Sequence, residues 1–224
     1  MCQNDPWGPR HLTSNQKGMV GKEVQLRLHE QELWEQTWIS AARQMTGLAH
    51  HLKENALSGH GHLSKEITNR ILEPYISAVG LISGTEWSNF FKLRLAPEAQ
   101  GEMRDLAMAI KLAMNDSDPV ELQRGMWHLP YINDEELANY DMQDLVKASA
   151  ARCARVSVKR FDGTTSIKED VDLCNKLIHN GHMSPLEMVA QATEGLPSNY
   201  NKNWLQYRKV IENGIPFGTL LSTN

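Results

Sequence analysis

Arg94, Gln100 and Arg104 lie close together in the stretch TEWSNFFKLRLAPEAQGEMRDLA, residues 85–107. Guanidinium groups offer fixed, paired N–H donors that suit phosphate and carboxylate oxygens, and a primary amide both donates and accepts. At 3.6 residues per turn, Gln100 and Arg104 share one face of a Pro-initiated helix, while Met103, Leu106, Ala107, Ile110 and Met114 form an apolar stripe expected to face inward. That leaves the polar face to something anionic. Each arginine alone is equally compatible with an ordinary surface ion pair.

The elements that must position these groups read as mostly helical. Residues 1–21, rich in Gly, Pro, Asn and Gln, predict an irregular arm, and 22–57 predict one long helix. Trp34, Trp38, Ala41, Met45, Leu48 and Leu52 recur at spacings of three and four, the mark of one buried stripe. The turn Ser58-Gly59-His60-Gly61 ends it. A second helix is expected from Ser64 towards Ile82 with Arg70 on its polar side and a break near Leu72-Glu73, because Pro74 removes a backbone donor. Later starts are marked by side chains that satisfy free amides: Asp118-Pro119, Asn133 with Glu136, Ser166 with Glu169, and Ser184-Pro185 with Glu187. Cys153 to Val158 alternates with a period of two and predicts a strand. The segment after Lys209, with Gly214, Pro216 and Gly218, predicts a poorly ordered tail.

Composition narrows the function. A chain of 224 residues can bury one core, and a net charge of −4 argues against a general nucleic-acid binder, so any anion site must be local. Cys2, Cys153 and Cys174 show no C-x-x-C spacing, which suggests neither a zinc site nor a disulfide framework and fits a reducing cytoplasm. No adjacent histidine makes a reactive thiolate of them. His50, His51, His60 and His62 lack an acidic partner at ligand spacing, so no metal site is expected. No window carries the run of about 18 apolar residues that spans a bilayer.

Three stretches together resemble the flavin-dependent thymidylate synthases. These are EW-x-x-FF-x-LR followed by AQ-x-E-M-R (Glu86 to Arg104), NRILEP (Asn69 to Pro74), and HMSPLE (His182 to Glu187), which is similar to the family's H-x-SPFEH motif. ARVS (Ala154 to Ser157) and NWLQYRK (Asn203 to Lys209) fit the same family, in a rearranged order associated with phage-type members. The resemblance covers residues from about 15 to 210. It implies an α+β fold, a helix-rich single domain over 22–210 with a small antiparallel sheet, between an arm at 1–21 and a tail at 211–224.

The resemblance also implies chemistry: reductive methylation of dUMP to dTMP with FAD, NADPH and methylenetetrahydrofolate, in a homotetramer. Arg70, Arg104 and Gln100 match substrate-binding positions, with Arg104 at the reacting nucleotide. Arg94, His182, Ser184 and Glu187 match positions near the flavin. A capped helix at Ser184 would present amide donors to the flavin's phosphates or ring carbonyls. The family's RHR-x-x-S signature is missing, and its nearest string is Arg10-His11-Leu12-Thr13-Ser14-Asn15. Asn15 to Met19 align with a family segment downstream of that signature, so the chain is expected to begin just past it. Met188 stands where the motif has its second histidine. Two readings stay open: such a synthase, or a piece of one, and a non-catalytic helical nucleotide-binding or assembly protein derived from it.

Overall fold

A computed structural model describes residues 6–15, 21–55, 61–156, 166–194 and 203–219. It is helix-rich with a small three-stranded antiparallel sheet, an α+β arrangement. Where one core was expected, the backbone separates into two compact units: Met1–Ala78 with Phe90–Asp116, and Val79–Asn89 with Ser117–Asn224. Among the described residues no helix is long and apolar enough to cross a membrane.

In the first unit the long helix α1 spans Leu28–Glu54, starting later than the expected residue 22. The reason lies in the backbone. The Ser14 amide donates to the Lys22 carbonyl and that of Val24 to the Leu12 carbonyl, both at 2.8 Å, so residues 22–24 spend their hydrogen bonds on the arm rather than on a helical turn. The helix begins only where the Glu30 carboxylate accepts the Arg27 amide at 2.8 Å. Its buried line runs through Ala42, Thr46 and Ala49, while Leu48, assigned inward by residue type, is exposed. Trp38 fixes the arm: its indole N–H donates to the Trp7 carbonyl at 2.7 Å, and its ring lies 5.3 Å from those of both Trp34 and Tyr75.

The second expected helix stops early. A short α2 (Lys65–Thr68) passes into a 3-10 segment, Asn69–Tyr75, that contains Pro74, and Ile76 is already extended. A missing donor at Pro74, followed by β-branched Ile76 and Val79 and by Gly80, removes what would carry a helix to Ile82. The helix α3 (Ser88–Arg94) ends on Arg94, and α4 (Gly101–Asp116) follows after a turn over residues 95–99. Along α4, Met103, Ala107 and Ile110 are at least partly buried, but Leu106 and Met114 are exposed, so the inward stripe is narrower than the apolar residues suggest.

The second unit holds the sheet. Strand β1 (Trp127–His128) pairs antiparallel with β2 (Ala190–Ala192), which pairs antiparallel with β3 (Trp204–Gln206). The expected strand at Cys153 to Val158 is absent: Cys153 and Ala154 end helix α6 (Met142–Ala154), with Arg155 as its cap, while Ser157 and Val158 lie outside the described residues. The helical period wins because Leu145, Val146, Ala148, Ser149, Ala150, Ala151 and Cys153 all bury, a density that only small residues packed against α7 (Ile167–His179) allow. Cys153 and Cys174 are both buried, and burial pushes their thiols up to about 12 and about 11. A raised thiol value disfavours the thiolate, which is the nucleophilic form.

Helix α5 (Asp134–Asn139) starts with the expected capping box, Asn133 Oδ1 accepting the Glu136 amide at 2.9 Å and Glu136 Oε2 accepting the Asn133 amide at 3.2 Å. Asp118-Pro119 opens no helix. Ser166 does precede α7, without a side-chain cap bond. Where a loose tail was expected after Lys209, the described residues as far as 219 are packed: α8 (Tyr207–Glu212) continues, Ile211, Ile215 and Phe217 pack on the core, and Phe217 stacks on Trp127 at 5.5 Å.

One ionic cluster ties this unit together. Arg152 Nε donates to Asp170 Oδ2 at 2.8 Å, and its two terminal nitrogens donate to Glu136 at 2.8 and 2.6 Å and to the Tyr131 carbonyl at 2.6 Å. Arg155 pairs with the second oxygen of Asp170, which is fully buried. The Arg152 hydrogen bonds hold the Glu136 carboxyl below its ordinary range, so that contribution is present above about pH 4.5 and lost as pH falls through the depressed value. Replacing Arg152 by Ala leaves Asp170 with only Arg155 and is expected to cost about 3–5 kcal/mol in urea unfolding, and Arg152→Lys most of that, since an ammonium cannot serve Asp170, Glu136 and Tyr131 together. Equal stability of Arg152→Lys and wild type would refute this account.

Candidate functional site

The first unit contains a cleft of about 510 Å³ whose walls include Arg94, Gln100 and Arg104, the residues singled out by type and spacing. Arg94 reaches it from the end of α3, Gln100 from the residue before α4, and Arg104 from the first turn of α4. The intervening turn is closed by the Leu95 amide on the Phe91 carbonyl and the Ala99 amide on that of Ala96, both at 3.0 Å. Arg104 donates to the Pro97 carbonyl at 3.1 Å, which draws its guanidinium over this turn. The Arg94 guanidinium has no hydrogen-bond or ion-pair partner among the described residues.

Residue-type reasoning gave the other wall only a passing mention. His11 lines the cleft, with Nδ1 2.7 Å from Glu23 Oε1 and Nε2 2.7 Å from Asp105 Oδ2. Its backbone amide and that of Arg10 both donate to Glu102 Oε1, at 3.1 and 3.2 Å. The arm therefore docks on the first turn of α4 through one ring and two amides. Gly101 permits it: a Cβ there would lie 2.1 Å from the His11 ring, a distance no side chain survives. The available signal was the Arg10-His11 string itself, together with Glu102 and Asp105 on adjacent positions of one helix face.

Not every assigned residue reaches this cleft. Arg70 sits exposed on the 3-10 segment with Glu73 at 4.0 Å and does not line it. His182, Ser184 and Glu187 belong to the second unit. There Ser184–Glu187 is a single 3-10 turn with Met183 at its cap, not the start of an α-helix, because Ala190 is already committed to β2. The Leu186 and Met188 amides are spent on the Met183 and Pro185 carbonyls, at 3.1 and 3.3 Å. The Glu187 carboxylate is paired with Arg208. The described residues of this turn do not fit a flavin phosphate: no amide cradle forms and the carboxylate is engaged.

Two other cavities lie within single units. One of about 640 Å³ in the first unit runs between the arm and α1, beside Trp34 and Trp38, and holds none of the residues assigned from the sequence. One of about 150 Å³ in the second unit is lined by Ser83, His128, Met188 and Trp204 among others. Burial holds His128 below its ordinary value, and Met188 Sδ accepts the Ser83 hydroxyl at 2.9 Å. Trp87, beside the arginine segment in the sequence, donates its indole N–H to the Gly84 carbonyl at 2.8 Å. Among the described residues no group of three His, Cys, Asp or Glu is arranged to hold a metal, and His60 lies outside them.

No family model, curated protein or solved structure matches the chain. The site is therefore judged on its own geometry.

The hydrogen bonds that the His11 ring makes to the carboxylates of Glu23 and then Asp105 raise the His11 pKa above 6.5. A group raised on folding adds stability that is fully present below its unfolded value and is lost as pH rises through the folded one. His11→Ala should lower the melting temperature clearly at about pH 6 and much less at about pH 9. A penalty that grows with pH would contradict the charged-ring account.

Proposed function

We propose that this chain binds dUMP in the cleft of Arg94, Gln100 and Arg104, as a flavin-dependent thymidylate synthase or a piece of one, forming dTMP with methylenetetrahydrofolate, FAD and NADPH and assembling as a homotetramer. The observation that supports this reading is the meeting of three residues, assigned from one sequence motif, at one cleft of nucleotide size. Two guanidinium groups suit the phosphate because each presents paired N–H donors to its oxygens, and the Gln100 amide can both donate to and accept from a uracil edge. Arg104 is the group assigned to the reacting nucleotide. The residues above bind and orient the nucleotide.

A second reading is a nucleotide-binding protein without flavin chemistry. It is favoured by the engagement of Glu187 with Arg208 and of Met188 with Ser83, which spends the residues at the flavin motif on internal contacts. Arg70, outside the cleft, leaves the nucleotide with two arginines rather than three. Visible flavin absorbance of the purified protein and formation of dTMP separate the two readings.

Calorimetric titration tests what they share. Arg104→Ala should weaken dUMP binding by about 2–4 kcal/mol, the usual loss for a charged hydrogen-bonding partner. His62→Ala, in an exposed residue away from the cleft, should leave binding unchanged. Equal effects of the two substitutions would remove the cleft from consideration.

A further inference from the structure

The cleft already contains an anion of its own. Glu23 places Oε1 2.7 Å from His11 Nδ1 and Oε2 3.9 Å from Arg104 Nη2, so one carboxylate spans a histidine and an arginine of the same cleft. The other His11 nitrogen faces Asp105 Oδ2 at 2.7 Å. A neutral imidazole has one N–H and one accepting nitrogen, whereas an ionised carboxylate only accepts. With a carboxylate on each nitrogen, His11 is an imidazolium. The charged groups that face it are Glu23 from the segment paired with the arm, Glu102, Arg104 and Asp105 from α4, and Arg10 beside it.

We propose that Glu23 is a resident stand-in for the ligand's anionic group: an incoming phosphate displaces its carboxylate from Arg104 and His11, and His11 then binds that phosphate together with Arg94 and Arg104. This rests on the reading of the cleft as a nucleotide site and adds to it a third cation and a built-in competitor. The contacts have the qualities that displacement needs. Glu23 is 55% exposed, so its carboxylate moves into water at little desolvation cost, and its contact to Arg104 is long. A phosphate brings more charge and more accepting oxygens to the same donors. Asp105 stays on Nε2 and keeps the ring charged after Glu23 has left.

The test is calorimetric titration of wild type, Glu23→Gln and His11→Gln with dUMP and, separately, with sulfate, whose charge is constant over the working range. Glu23→Gln should bind both anions at least about fivefold more tightly, since it removes the competing charge and keeps the side-chain shape. His11→Gln should bind both more weakly. In wild type, sulfate affinity should fall as pH rises through the His11 titration, and in His11→Gln it should be flat across that range. Unchanged or weaker binding of both anions by a folded Glu23→Gln overturns the proposal. Should that variant fail to fold, Glu23→Asp, which withdraws the carboxylate by one methylene, must shift affinity in the same direction, and no shift overturns it equally. Sulfate binding that responds to Glu23→Gln in a chain that does not bind dUMP keeps the displacement and removes the nucleotide reading. Binding of dUMP that ignores Glu23→Gln does the reverse.

Discussion

Asp170 is a fully buried acidic side chain paired with two arginines, and the helices of the second unit are arranged around that constraint. An isolated buried carboxylate is too costly to persist, so it must be met by opposite charge and by hydrogen bonding. Arg152 supplies a hydrogen bond to one oxygen and Arg155 an opposite charge beside the other, both from the end of α6, which sets the rotation and depth of α6 against α7. The remaining donors of Arg152 then fix where α5 and the Tyr131 carbonyl lie. Tyr131 itself is held at a φ of 65°, an uncommon conformation for a bulky residue, and the same guanidinium pins its carbonyl. The alanines of α6 complete the logic: only side chains this small bring the two backbones near enough for an arginine to close the cluster.

The first unit is organised by a different device, a close approach. Gly101 has no side chain, so the His11 ring lies directly against the start of α4, and three acidic residues, Glu23, Glu102 and Asp105, gather the arm's ring and amides. The same docking builds the cleft. Without the arm, Arg94 and Arg104 would be two cations on an open turn, and with it they face a wall carrying a third.

Legibility from the sequence tracked the range of the interaction. Local signals held: the capping box at Asn133, the interruption at Pro74 and the grouping of Gln100 with Arg104 depend on residues within a turn or two of each other. Signals that depend on a distant partner did not. The strand expected at Cys153 to Val158 rests on a genuine alternation, yet burial against α7 imposes the helical period through Ala154. Helix α1 was extended back to residue 22 because nothing local shows that residues 22–24 are paired with residues 12–14. The tail after Lys209 read as loose from its glycines and proline, although Phe217 finds a tryptophan face to stack on. The contributions of His11 and Asp105 to the site were hidden for the same reason, since they meet across 94 positions of sequence.

Net charge is a poor guide to such a site. The chain carries −4 overall, and the cleft wall is itself rich in carboxylates, which at first sight opposes anion binding. What matters is which charges are already engaged. Glu102 is turned to two backbone amides, Asp105 to one nitrogen of His11 and Glu23 to the other, whereas Arg94 is uncommitted among the described residues and Arg104 is held mainly by the Pro97 carbonyl and a long contact to Glu23. The acids therefore serve to orient and charge the histidine more than to neutralise the arginines. Local donors of this kind act at short range, so a cluster of guanidinium groups and a charged ring can present a positive surface within a chain whose overall charge is negative.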